Sequence, residues 1–186
     1  MFRRMMIGLL VAASPAAALG QTNEMGGWAL AQMPSGCMVQ ATSPKGTMIS
    51  IWAFAGEDKL AFLLQNRDWN SLRDGQNYNL KLDFTGMDSV PVQAIARQHI
   101  DSDGPGLLFT MKPGAQASGG FFTAFSTAPG VNISQDGRSF DTLPLAGSRG
   151  AMAALARCLA QRWSAAASGD GDDTAAKKAP EAVTTI

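Results

Sequence analysis

The chain has 186 residues with 15 basic and 15 acidic side chains, a formal net charge of 0, and 46% of it is hydrophobic. That length suits one domain with a sizeable core, which needs neither a metal nor a dense disulfide framework to hold together. The balanced charge offers no basic field to nucleic acid and no polybasic patch to anionic lipid, so both partner classes are argued against.

The first segment, Met1-Phe2-Arg3-Arg4-Met5-Met6-Ile7-Gly8-Leu9-Leu10-Val11-Ala12-Ala13, is basic and then apolar, and it closes on Ala16-Ala17-Ala18-Leu19-Gly20. This is the layout of a secretory signal peptide, residues 1–20, with an apolar run too short to span a bilayer. Ala18 and Gly20 place small side chains where a signal peptidase reads, so cleavage is expected after Gly20, with Ala18 as the alternative. Gln21 follows the cut, so no cysteine is there to carry a lipid anchor. Loss of Arg3 and Arg4 leaves 13 basic against 15 acidic side chains, a formal charge of −2. No later stretch suits a transmembrane segment. The expected product is soluble, in the periplasm or secreted. In that oxidising setting the two cysteines, Cys37 and Cys158, are expected to form a disulfide.

Residues 21–27 are polar and glycine-containing and read as a flexible lead-in. A single β-rich domain is expected over 28–167. Its predicted strands are Trp28–Met33, Met38–Thr42, Met48–Ala55, Lys59–Gln65, Tyr78–Phe84, Val90–Arg97, Leu107–Met111, Val131–Ser134 and Ser139–Leu143, separated by Gly/Pro/Asn/Asp turns. Ser43-Pro44-Lys45-Gly46 and Gln135-Asp136-Gly137-Arg138 read as hairpin turns. Tyr78, Leu80, Leu82 and Phe84 alternate with polar residues, the pattern of a half-buried strand. Over Gln116–Phe125 the spacing of Phe121, Phe122 and Phe125 is helical, although Gly119-Gly120 weakens it. A closing helix is predicted from Ser148 as N-cap, with Met152, Leu155, Leu159 and Trp163 on one face and Cys158 beside them. Trp28, Trp52 and Trp163 are expected in the core. Residues 168–186 lack apolar periodicity and read as a disordered tail. The fold class is therefore mostly β: an antiparallel β-sandwich or barrel-like domain with a packed C-terminal α-helix.

Signals for chemistry are sparse. His99 is the single histidine, and with both cysteines in a disulfide no zinc-ligand set remains; no metal and no cofactor are expected. A Ser-His-Asp arrangement lacks a Gly-x-Ser-x-Gly elbow, so His99 reads as an exposed residue at a strand end. Asp101-Ser102-Asp103-Gly104 opens like a calcium loop, but the twelfth position is Lys112, and the bland reading is a turn. Glu24, Glu57 and Glu181 are the only glutamates, and no facing acid pair of the glycosidase kind is evident. Trp69, in Asn66-Arg67-Asp68-Trp69, either packs under a loop or offers an aromatic contact for a partner. Phe121, Phe122 and Phe125 line an apolar pocket for a small ligand under the second reading of function.

Two stretches carry a likeness. One is Leu64-Gln65-Asn66-Arg67-Asp68-Trp69 with the alternating strand Tyr78-Asn79-Leu80-Lys81-Leu82-Asp83-Phe84. The other is Phe140-Asp141-Thr142-Leu143-Pro144-Leu145-Ala146-Gly147-Ser148 running into Cys158. Together, over roughly residues 28 to 163, they resemble small exported alphaproteobacterial proteins related to the invasion-associated locus B family. The resemblance implies a compact β-domain with a packed C-terminal helix in the periplasm or on the cell surface, and it carries over no catalytic residue. The expected function is a non-enzymatic exported envelope protein, an interaction or accessory module meeting an envelope protein or cell-wall glycan. A periplasmic small-ligand binder is the alternative, and a hydrolase using His99 comes third.

Overall fold

A computed structural model describes residues 25–98 and 104–167. Residues 1–24, with the expected signal peptide, residues 99–103, with His99 and the Asp101–Asp103 turn, and residues 168–186, with the expected tail, lie outside the described residues. The elements run β1 (Ala29–Met33), β2 (Gly36–Thr42), β3 (Met48–Phe54), β4 (Leu60–Gln65), β5 (Asn77–Phe84), β6 (Val90–Arg97), β7 (Gly106–Met111), α1 (Gln116–Thr127), β8 (Gly130–Gln135), β9 (Arg138–Pro144) and α2 (Ser148–Ala167). The strands form one nine-stranded sheet in the order β1-β2-β3-β4-β7-β6-β5-β8-β9, antiparallel at every joint. β1 and β9 each have a single strand neighbour, so the sheet is not closed into a barrel.

The alternation expected in β5 is realised: Tyr78, Leu80, Leu82 and Phe84 are buried while Asn77, Asn79 and Lys81 are exposed. The ladder extends that buried face from strand to strand through Val39, Ile51, Phe62, Phe109, Val92 and Ile133. β3 and β4 instead read as mainly apolar runs, Met-Ile-Ser-Ile-Trp-Ala-Phe with one serine and Leu-Ala-Phe-Leu-Leu-Gln closing on a glutamine. Their second face carries Trp52, Phe54 and Leu63, of which Trp52 and Phe54 are half-buried and Leu63 is buried. The β8–β9 turn places Asp136 and Gly137 at φ 50° and 77°, the left-handed pair that a two-residue hairpin matched to strand twist requires.

Both helices lie on the first face. α1 has no side-chain N-cap bond and contains Gly119-Gly120, so local propensity does not hold it. Packing does: Phe121 sits 5.0 Å from Phe62 and 5.7 Å from Phe84, ring centre to ring centre. α2 packs mainly on β2, with further contacts to β1, β3 and α1. The sulfurs of Cys37 in β2 and Cys158 in α2 lie at disulfide-bonding distance, with 6.3 Å between their Cα atoms.

Four sequence expectations need correction. Ser148 does not cap its own helix; its Oγ donates to the Phe125 carbonyl at 2.6 Å, satisfying an acceptor in the last turn of α1. Gly147 precedes α2 instead, and its carbonyl accepts from Ala151 N–H at 3.0 Å. Trp163 is 50% exposed rather than core: the helical stripe continues past Cys158, beyond the point where the helix is anchored to the sheet. Trp52 is half-buried, because period two puts it on the face of β3 away from the helices. Finally, Met25 of the lead-in is packed, while Gly26 and Gly27 beside it are exposed. Met25 is 7% exposed, its carbonyl accepts from Trp28 N–H at 2.8 Å, and Trp28 Nε1 donates to the Ala146 carbonyl at 3.1 Å. A Cβ on Gly147 (φ 81°) would strike the Met25 carbonyl, so this join between the two ends of the domain requires glycine there.

Candidate functional site

The polar residues gather at one end of the sheet, where β4 exits beside the β2–β3 turn. Asn66, 8% exposed, organises the exit. Its Oδ1 accepts from Asp68 N–H at 2.9 Å, an Asx turn that bends the chain out of the strand. Its Nδ2 donates to Thr47 Oγ1 at 2.8 Å and to the Lys45 carbonyl at 3.3 Å. The bend carries Trp69 back onto β9, where its ring meets Phe140 edge-on at 5.6 Å. Trp69 is 9% exposed and packs against strand β9.

Ser43 and Asp141 complete the cluster. Ser43 Oγ accepts from the N–H groups of Lys45 and Thr47 at 3.2 and 3.1 Å and donates to Asp141 Oδ2 at 3.0 Å. Asp141 is 2% exposed; its Oδ1 accepts from Thr142 N–H at 2.7 Å and lies 3.8 Å from Lys45 Nζ. A hydroxyl that already accepts twice and donates to a carboxylate is a poorly placed nucleophile. Its role is to hold the β2–β3 turn against β9. Asp141→Ala is expected to destabilise by about 2–3 kcal/mol, because it strands the buried Ser43 hydroxyl. Lys45→Ala is expected to cost under about 1 kcal/mol, since its amine is solvent-screened. Urea unfolding midpoints of the two variants check the ranking.

Around this cluster lie two open grooves. One, of about 420 Å³, is lined by Thr42, Lys45, Asn66 and Asp68 among others. The second, of about 510 Å³, runs along Gln135, Asp136, Arg138, Ser139 and Phe140. Phe140 of the second groove meets Trp69, the residue that follows Asp68 of the first. Exposed charges of both signs, Lys45, Asp68, Asp136 and Arg138, rim them. Such shallow, mixed-charge surfaces suit hydrogen bonding to a polar partner rather than enclosure of a small molecule.

The aromatic trio is placed differently. Phe121 and Phe125 are each 1% exposed and Phe122 is half-buried. The space that Phe121 and Phe125 line between sheet and helix is a cavity of about 10 Å³, room for a single water at most; Phe122 does not line it. Rings from β4, β5 and β7 fill the volume that a ligand would need. Among the described residues no three His, Cys, Asp or Glu side chains gather as a metal site, no cysteine is free, and no helix is long and apolar enough to cross a membrane. Elsewhere on the surface, Lys81 beside Asp83 and the Ser89 hydroxyl hold the Asp83 carboxyl below its usual range.

Sequence reasoning singled out Trp69 but passed over Ser43, Phe140 and Asp141. The signal was present for Asp141: it shares period-two phase with Leu143, which aims a carboxylate at the buried face. No protein-family model, curated protein or solved structure matches the chain.

Proposed function

We propose that this chain is an exported envelope protein that works without catalysis, as an interaction or accessory module meeting another envelope protein or a cell-wall glycan. The observation that carries the reading is the polar cluster at the β4 exit. Its hydroxyl, amide and carboxylate are spent on one another and on the backbone, while the charges left outward line open grooves. The leader-like N-terminus and the buried Cys37–Cys158 pair support an oxidising location. The likeness of the strand exit and of the Leu-Pro-Leu-Ala-Gly-Ser turn to invasion-associated locus B proteins belongs to the same reading.

A photo-crosslinking side chain at Lys45 or Arg138, used in intact cells, is expected to trap a discrete partner from the envelope fraction. The same group at exposed Lys59, away from the grooves, is expected to trap none. Hydrolysis of an ester, peptide or glycoside by the purified protein, lost in His99→Ala, would overturn the reading; recovery of the chain from the cytoplasm with its leader attached would overturn the location.

A further inference from the structure

We propose that β1 is a pairing edge for a second copy of this chain, joined antiparallel across a two-fold axis at Ala31. The two edges of the sheet are built differently. β9 carries the devices that keep an edge from pairing: Arg138, the inward-pointing carboxylate of Asp141, Pro144 and a register shift where it meets β8. β1, Ala-Leu-Ala-Gln-Met, has no charge, no proline and a regular five-residue register to β2. Its other side has no strand neighbour among the described residues. A neutral strand of this kind is a template for strand addition.

Exposed apolar surface concentrates at the same edge. Of the three exposed large hydrophobic side chains among the described residues, Leu30 lies in β1, and Trp163 follows Arg162, whose Nη1 donates to the Pro34 carbonyl at the end of β1. The strand is also self-complementary. With Ala31 opposite its own copy, Leu30 faces Gln32 and Ala29 faces Met33, so no like charges meet. The pairing is isologous and closes at two copies, leaving only the protected β9 edges outward. It does not depend on the groove-binding role proposed above, since the grooves lie at β8–β9 and the β2–β3 turn.

The test is sedimentation velocity of the purified exported protein over a range from micromolar to millimolar, with Ala31→Lys and Ala31→Glu variants. The wild type is expected to pass from monomer to dimer, each variant alone to stay monomeric, and an equimolar mixture of the two to regain the dimer through a Lys–Glu pair across the axis. Amide exchange at Ala29–Met33 in the wild type is expected to slow as concentration rises, which reads the same edge without a substitution should a variant fail to fold. A wild type that stays monomeric throughout, including one that instead pairs β1 with a different protein, overturns the proposal. So does a dimer that both folded variants retain, or a wild-type dimer whose β1 amides exchange as fast as in the monomer.

Discussion

Cys37→Ala is expected to lower the thermal unfolding midpoint under oxidising conditions by on the order of 10–20 °C for a domain of this size. The two cysteines are 121 positions apart, and closing a loop that long removes chain entropy worth about 5 kcal/mol from the unfolded state. An ordinary domain has a net stability of about 5–15 kcal/mol, so the bridge rivals much of the total. Cys158→Ala is expected to match Cys37→Ala, and the double variant to add little, because either change opens the same loop. Reductant should bring the wild type towards the variants and leave the variants unmoved. An unchanged midpoint in Cys37→Ala would show that the bridge contributes nothing.

Truncating Phe121 comes next in size. Its ring is 1% exposed and meets Phe62, Phe84, Phe109, Phe122 and Phe125. Phe121→Ala is expected to cost about 3–5 kcal/mol, the lost transfer energy plus a cavity that close-packed surroundings fill only in part. Phe122→Ala, at a half-buried position of the same helix, should cost distinctly less. Urea unfolding of both variants gives the comparison. The space left by Phe121 would be apolar and dry, so benzene is expected to raise the melting point of Phe121→Ala and not that of the wild type. Equal losses in the two variants would mean that α1 is not seated through Phe121.

The strand pattern was legible where one face meets the helices and the other meets water. β5 spells this out in Asn-Tyr-Asn-Leu-Lys-Leu-Asp-Phe, and its bounds differ from expectation by one residue. Legibility fails where tertiary contacts override local chemistry. Ser148 has the residue type of a cap, yet the nearer unsatisfied acceptor is the end of α1, a fact fixed by the meeting of two helices. Trp163 keeps the helical period, but periodicity cannot say where the sheet beneath a helix runs out. Met25-Gly26-Gly27 looks like a linker because its packing partner, Ala146-Gly147, lies some 120 positions downstream. The polar cluster was half legible: the Asn-x-x-Trp exit announces a turn, whereas the Ser43–Asp141 bond joins residues 98 apart and no local signal pairs them.

The seam that fastens Trp28 to Ala146 and Met25 to Gly147 has a consequence for biogenesis. A chain that emerges amino end first presents its opening strand long before the residues that complete it exist. The finished state must await the final helix, so folding is governed by distant contacts and is slow relative to local helix formation. A product of interrupted synthesis, lacking the segment beyond Pro144, would have neither the clasp nor the second thiol and could not mature by stages.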